Sequence, residues 1–254
     1  MAHMAITGAA AGIGAACVAR LKAQGHRITA FDIIEPEGVD DWIKVDMSDM
    51  ADIAGAAAQL DGPIDALINN AGLPPKDGNT WDVLAVNVFG LRAMCEALLP
   101  KLADGASIVS TASRAGQDWR ANLDEVKALL ALDGPKGLDA FIESRGIDPL
   151  RAYCLSKEAV IVWNTLNAEG WQAKGLRGNT VSPSAVETRI LGDFMVALGE
   201  RARVSVARAG RAGTPKEIAA LICFLASPES GWIKGQDIVI DGGMSAMAMA
   251  DSLI

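Results

Sequence analysis

Tyr153 and Lys157 stand four residues apart in a helical pattern, so both side chains project from one face toward the same point. A phenol is a poor base at neutral pH, because its ordinary pKa is about 10. A neighbouring ammonium favours phenolate and brings such a group toward the working pH, where it can take or give a proton. The pair is common in proteins and means little alone. Its meaning depends on what the rest of the chain brings to it.

Near the start of the chain, Thr7-Gly8-Ala9-Ala10-Ala11-Gly12-Ile13-Gly14 follows a short apolar run and opens a helical pattern. A tight turn with few side chains lets backbone and helix N-terminus approach a pyrophosphate, whose charge the amide dipoles favour. Gly8, Ala10, Gly12, Ile13 and Gly14 are therefore candidate contacts to a dinucleotide. Asp32 ends the second apolar run, 20 positions beyond Gly12. A carboxylate there accepts hydrogen bonds from the adenosine ribose and repels a 2′-phosphate. Neither Ala11 nor Ile33 supplies a cation for such a phosphate, and Glu35, Glu37, Asp40 and Asp41 follow. NAD is favoured over NADP, with Ile33 beside the adenosine.

These groups need a scaffold that brings residues 8, 32 and 153 together. Short apolar runs recur at Met4–Thr7, Arg27–Phe31, Trp42–Val45, Asp65–Ile68, Ser107–Thr111, Gly178–Val181 and Asp237–Ile240. Helical patterns alternate with them, notably Gly14–Ala23, Trp81–Leu99, Tyr153–Glu169 and Pro215–Leu225. That alternation predicts an α/β fold: a Rossmann-like, doubly wound, predominantly parallel seven-stranded sheet with helices on both faces. Residues 33–41 are too short for a crossover helix and predict a loop. Between Ser113 and Tyr153, Leu123, Val126, Leu129, Leu130 and Leu132 recur at helical spacing, broken by Gly134 and Pro135. This predicts a helical insert before the tyrosine.

The chain's 254 residues, half of them hydrophobic, suit one catalytic domain over 1–254. A net charge of −8 leaves no positive field for nucleic acid or anionic membrane. The opening residues leave no room for a secretion signal before the glycine turn, so a cytoplasmic location is expected. Cys17, Cys95, Cys154 and Cys223 have no paired spacing and read as reduced thiols, with neither a zinc site nor a disulfide framework.

Taken together, the glycine turn, Asp32 and the Tyr153/Lys157 pair resemble the short-chain dehydrogenase/reductase family, and the resemblance runs over nearly the whole chain. Asp46-Met47 is similar to its adenine contact, Asn69-Asn70-Ala71-Gly72 to the segment bracing the central strand, and Asp241-Gly242-Gly243 to its C-terminal signature. Pro183, Val186 and Thr188 resemble the loop beside the nicotinamide carboxamide. Asn87 matches the catalytic asparagine, and Ser113 matches the catalytic serine better than Ser110 does. The resemblance implies an NAD-dependent alcohol dehydrogenase or carbonyl reductase without a metal. Ser113 would hold the substrate oxygen and Tyr153 would take the hydroxyl proton. Lys157 would bind the nicotinamide ribose and depress the Tyr153 pKa, and Asn87 would hold a water linking Lys157 to solvent.

Three departures from the family pattern bear on specificity and assembly. No helix is expected after Asp32, Pro183-Ser184 stands where Pro-Gly is usual, and 40 positions separate Ser113 from Tyr153. The long insert resembles the branch of coniferyl-alcohol dehydrogenases and 3α-hydroxysteroid dehydrogenase/carbonyl reductases. By that resemblance the insert, about 117–150, is a substrate-side flap, and Trp119, Leu191, Phe194 and Met195 form an apolar wall for a hydrophobic aromatic or cyclic alcohol. Arg114 and Arg120 raise an alternative, a small anionic substrate; a polyol is another. The resemblance further implies a homodimer or homotetramer, with the insert favouring the dimer. Two other classes on this fold are a non-catalytic NAD(H)-sensing protein and a halohydrin lyase. The first usually lacks the tyrosine and the second the nucleotide turn.

Overall fold

The computed structural model describes residues 1–188, 191–192, 203–204 and 206–253. Within them one sheet comprises β1 (His3–Thr7), β2 (Arg27–Asp32), β3 (Asp41–Lys44), β4 (Ile64–Asn69), β5 (Leu102–Thr111), β6 (Arg177–Pro183) and β7 (Asp237–Ile240). Their order is β3-β2-β1-β4-β5-β6-β7, and every pairing is parallel. The chain builds outward from β1 to β3, then returns to lay β4 on the other side of β1. This reversal opens a crevice at the carboxyl ends of β1 and β4, where open α/β sheets bind ligands. Register aligns the rim of that crevice: Thr7 lies opposite both Phe31 and Asn69, Asn69 opposite Ser110, and Thr111 opposite Val181.

Both faces of the sheet are covered, so its strands read as near-continuous apolar runs. Helices α1 (Gly12–Ala23), α2 (Met50–Gln59), α3 (Thr80–Leu84), α4 (Leu91–Leu98), α5 (Leu123–Leu130), α6 (Leu138–Arg145), α7 (Pro149–Ala173), α8 (Pro215–Ala226) and α9 (Met244–Leu253) follow in chain order. Leu67 and Ile108 enter one cluster with Ile53 of α2, Met94 of α4 and Val160 of α7. Their neighbours Ile68 and Val109 enter the opposite cluster with Leu21 of α1 and Ile222 of α8. Adjacent strand residues thus serve opposite layers, and truncating the leucine, isoleucine or methionine among them to alanine costs about 2–5 kcal/mol. Cys17 and Cys223, distant in sequence, are free thiols buried in the second layer.

Helix starts follow local chemistry. The Asp148 side chain accepts from Arg151 N at 2.7 Å and Pro149 takes the first position, so α7 begins four residues ahead of Tyr153. Thr214 and Glu217 form a reciprocal capping box on α8. Residues 33–40 form a loop, as their length predicts. The helical run Thr80–Lys101 is long and apolar enough to cross a membrane, with mean hydropathy 1.5, but 67% of its most apolar window is buried inside the fold. Its apolarity is used by the core.

The insert before Tyr153 is helical, as its leucine spacing predicts. It comprises a 3-10 helix (Arg114–Arg120), α5, a short turn at Pro135–Gly137 and α6. Val126, Leu129, Leu138 and Phe141 are buried against Val83 and Leu84 of α3, Phe89, and Ala152, Leu155, Ala159 and Val162 of α7. The apolar positions that recur at helical spacing are used in packing on α3 and α7.

Candidate active site

The nucleotide turn is built by backbone fit. Gly8 and Gly12 take φ of +67° and +56°, the left-handed region that favours glycine. A Cβ on Gly8 would meet Ala71 Cα at 2.6 Å, and one on Gly14 would meet Gly8 O at 2.0 Å. The turn, the 70–72 loop and the first turn of α1 are therefore in backbone contact. Thr7 Oγ1 accepts from Asn70 N at 3.0 Å and Ala71 N at 3.1 Å, while Asn70 Nδ2 donates to Gly8 O at 2.9 Å. At the N-terminus of α1, Ala11 offers no capping side chain, and the first turn carries no acidic residue. Its N–H groups fit the pyrophosphate of a dinucleotide. Across the turn, a Cβ on Gly12 would lie 3.2 Å from Thr188 Cγ2, so the loop after β6 closes on the glycines.

Asp32 is held at the mouth of this turn. Its carboxylate accepts from Ala10 N at 2.9 Å and from Ile34 N at 3.1 Å. Ile33 beside it is 57% exposed. Asp46 accepts from both the N–H and the hydroxyl of Ser48, while Met47 is buried after β3. Val186 bridges to Gly213, and Ser184, in place of the usual glycine, directs its hydroxyl to Met244 Sδ.

At the other end of the crevice, Tyr153 and Lys157 are both buried on α7. Lys157 Nζ is 5.7 Å from the centre of the Tyr153 ring and donates to Thr111 O at 2.9 Å. Ser113 is hydrogen-bonded to the Tyr153 hydroxyl; its Oγ also accepts from Ala115 N at 3.2 Å and lies 3.5 Å from Pro183 O. Ser110 is buried within the sheet and accepts from Asn69 Nδ2, so Ser113 alone of the two meets the tyrosine. Burial pushes the Tyr153 phenol up to about 12, with the Ser113 hydrogen bond pulling the other way. Burial also brings the Lys157 ammonium down to about 8. The phenol is thus raised where a depression was expected, because loss of water around it outweighs the Ser113 hydrogen bond.

Asn87 lies in a π-helical turn, Ala85–Gly90, between α3 and α4. Its Oδ1 accepts from Leu73 N at 2.7 Å, and its Nδ2 donates to Leu73 O and to Ser156 Oγ. Both amide hydrogens are therefore engaged, which restricts the expected water-holding role to Oδ1. A Cβ on Gly72 would lie 3.1 Å from Asn87 Oδ1 and 3.6 Å from Lys157 Nζ, so both groups approach the Gly72 backbone closely and a side chain there would crowd them. Ser156, which sequence reasoning missed, donates to Tyr153 O at 2.7 Å and links Asn87 to the tyrosine's own turn. Its place one residue before Lys157 was the available signal.

The expected substrate residues do not all gather at the site. Arg114 pairs with Asp241 at 3.6 Å and donates to Ser245 Oγ. Trp119 packs between two core clusters and carries the Arg120 guanidinium 4.2 Å over its ring. The positive charge proposed for an anionic substrate at Arg114 is thus answered by Asp241. Leu191 follows the Thr188 loop, donating its N–H to Thr188 O at 3.0 Å; Phe194 and Met195 lie outside the described residues. Among the described residues, no group of three or more His, Cys, Asp or Glu side chains is placed to hold a metal.

Residues 2–124 match the family described as short chain dehydrogenase, and residues 138–245 that described as enoyl-(acyl carrier protein) reductase. Coniferyl-alcohol dehydrogenase of Pseudomonas sp. (strain HR199 / DSM 7063) is 34% identical over 247 residues, covering 95% of both chains. The 3-alpha-hydroxysteroid dehydrogenase/carbonyl reductase of Comamonas testosteroni is 34% identical over 252 residues, 97% of this chain and 98% of the relative. The crystal structure of the 3-alpha-hydroxysteroid dehydrogenase from Pseudomonas sp. B-0831 complexed with NADH superposes with a TM-score of 0.87 at 33% identity, over 98% of each chain.

Proposed function

The chain belongs to the short-chain dehydrogenase/reductase family and is an oxidoreductase that binds a nicotinamide cofactor, and on that premise we propose that it is an NAD-dependent enzyme interconverting a hydrophobic aromatic or cyclic alcohol and its carbonyl compound. The observation that carries the reading is the meeting of Ser113, Tyr153 and Lys157 at the rim of the crevice. Bound nicotinamide supplies the hydride acceptor for alcohol oxidation, or the donor in reverse. Everything else is assigned to the chain. Ser113 holds the substrate oxygen and Tyr153 exchanges its proton. Lys157, with one hydrogen used by Thr111 O, has donors left for the ribose hydroxyls and adds its charge in support of phenolate. A water held between Asn87 Oδ1 and Lys157 Nζ carries the proton outward.

Several groups support the cofactor assignment. Gly8, Ala10, Gly12, Ile13 and Gly14 take the pyrophosphate; Asp32 and Ile33 take the adenosine ribose; Asp46 and Met47 take the adenine. Asn70, Ala71 and Gly72 brace the crevice, and Pro183, Val186 and Thr188 flank the nicotinamide. Because a phosphate near Asp32 would add like charge, NAD is preferred to NADP. The substrate class rests on the two 34% identical relatives, whose names specify coniferyl alcohol and 3α-hydroxysteroid. We assign residues 1–254 to one catalytic unit, active as a homo-oligomer; with α5 and α6 covering α3 and α7, a dimer is expected in sedimentation.

The test is a panel of aromatic allylic alcohols, hydroxysteroids, polyols and small anionic alcohols, assayed with NAD and then NADP. Turnover of the first two groups with NAD is expected. NADH binding without turnover of any member would instead favour a sensing role and overturn the assignment.

A further inference from the structure

Glu158 adjoins Lys157 on α7 and is 1% exposed, yet it is a carboxylate in an apolar layer. Three hydrogen bonds satisfy it: Arg151 Nη1 donates to Oε1 at 3.0 Å, Arg151 Nη2 to Oε2 at 2.6 Å, and Asn122 Nδ2 to Oε1 at 2.7 Å. Arg151, two turns earlier on the same helix, also donates from Nε and Nη2 to Glu125 Oε2 at 2.9 and 2.6 Å. Its backbone N–H is held by the Asp148 cap. One guanidinium is thus shared between a carboxylate on α7 and one on α5, while Asn122, just before α5, closes the ring. Tyr153 and Lys157 lie within the stretch this bridge spans.

The same part of the insert touches α7 at two further points. Ser113 meets the Tyr153 hydroxyl, and Gly116 packs so closely that its Cβ would lie 2.7 Å from Lys157 C and 2.9 Å from Glu158 N. From residue 113 to residue 125, the chain is therefore fastened to α7 at the phenol, the backbone and both ends of the charged bridge. An apolar contact would bury α7 as well, but it would leave the helix free to settle over a range of rotations. A planar fork on two carboxylates fixes direction, and since apolar replacement of a buried ion pair is often neutral or stabilising, stability alone does not account for the network.

We propose that Arg151, Glu158, Glu125 and Asn122 form a positioning network through which the insert sets the rotation of α7, and with it the contact between Ser113 and Tyr153. The four are positioning residues and touch no reacting atom. The inference rests on the oxidoreductase reading for its consequence in rate, but its structural content can be measured without turnover. Tyr153 is the only tyrosine in the chain, so tyrosine labelled with 13C at Cζ gives one resonance that reports the hydrogen bond to Ser113.

The experiment compares Glu125→Gln, Glu158→Gln and the apolar triple variant Arg151→Met/Glu125→Met/Glu158→Met, with Ser113→Ala defining the signal of a broken contact. In Glu158→Gln and in the triple variant, the Tyr153 resonance is expected to move toward the Ser113→Ala position. kcat is expected to fall about ten- to a hundredfold, as small misplacements do, with NADH affinity falling by less, since Lys157 turns with the same helix. Glu125→Gln, at the more exposed end, should move both readouts in the same direction by less. The triple variant separates positioning from stability, since it removes every buried charge together and remains informative if Glu158→Gln does not fold. A triple variant that folds with wild-type resonance and wild-type kcat overturns the proposal. Should the wild type turn over no alcohol, the functional reading fails while the resonance still decides the network.

Discussion

Lys157 Nζ lies 5.7 Å from the centre of the Tyr153 ring, yet its hydrogen bond is made to Thr111 O. Burial moves the two groups in opposite directions along the pH scale, Tyr153 up to about 12 and Lys157 down to about 8. Each is thereby pushed toward its neutral form. A phenol at neutral pH is ready to donate to a carbonyl oxygen, whereas alcohol oxidation needs phenolate and must draw on nearby positive charge.

The first prediction concerns stability. Unfolded Lys157 titrates near its ordinary 10.5 and the folded residue near 8, so below pH 8 the folded state bears the full cost of the buried charge. That cost is relieved as pH rises from 8 to 10.5. Between pH 7 and pH 10.5, the wild type should gain about 3 kcal/mol relative to Lys157→Met. Urea unfolding of both proteins at the two pH values measures it; a constant difference would refute the depressed lysine.

A second prediction separates the roles of Tyr153 and Ser113. Tyr153→Phe should lose about 10²–10⁴ in kcat while binding NADH as the wild type does. Ser113→Ala should lose rate and also shift the pH profile of alcohol oxidation. Because the Ser113 hydrogen bond lowers the phenol's pKa, its removal moves the rising limb to higher pH. A profile that stays in place, measured with a slow substrate, contradicts this assignment of the hydrogen bond.

Legibility in the sequence followed the range of the interactions involved. The strands and the glycine turn are readable because apolar runs such as Asp65–Ile68 and the Gly8–Gly14 spacing are local patterns. Helix α2 was not singled out: Met50–Gln59 is rich in alanine, and its start rests on the Asp49 cap. Tyr153 and Lys157 were identified, but their electrostatics were not, since burial depends on the whole fold. Arg114 read as a free charge because Asp241, its partner, lies far along the chain. The insert's helical period was legible, whereas the surface receiving it, α3 and α7, was not.

A third prediction addresses the cofactor. Asp32 is aimed at the glycine turn by Ala10 N–H and Ile34 N–H, and its negative charge is what disfavours a 2′-phosphate. Asp32→Asn keeps an acceptor and removes the charge. The ratio of kcat/KM for NAD to that for NADP should fall by about tenfold or more, as expected for removing one like-charge juxtaposition. An unchanged ratio would show that discrimination resides elsewhere.

The fourth prediction sets two helical glycines against each other. Gly55 in α2 has no atom within 4 Å of where a Cβ would be, while at Gly14 in α1 that Cβ would lie 2.0 Å from Gly8 O and 2.8 Å from Asn70 Nδ2. Alanine is the better helix former by about 0.5–1 kcal/mol, so Gly55→Ala should stabilise the protein by about that amount and leave kinetics untouched. At Gly14 the same propensity gain is outweighed, because α1 must lift from the turn by more than side-chain adjustment allows. Gly14→Ala should cost about 1–3 kcal/mol in overpacking. NADH affinity should fall with it, since the N–H groups that fit the pyrophosphate belong to the helix end that moves. Thermal melts with and without NADH test both claims: equal stabilisation by NADH in Gly14→Ala and wild type would mean that the turn tolerates the displacement, and that close contact between α1 and Gly8 is not what shapes the cofactor site.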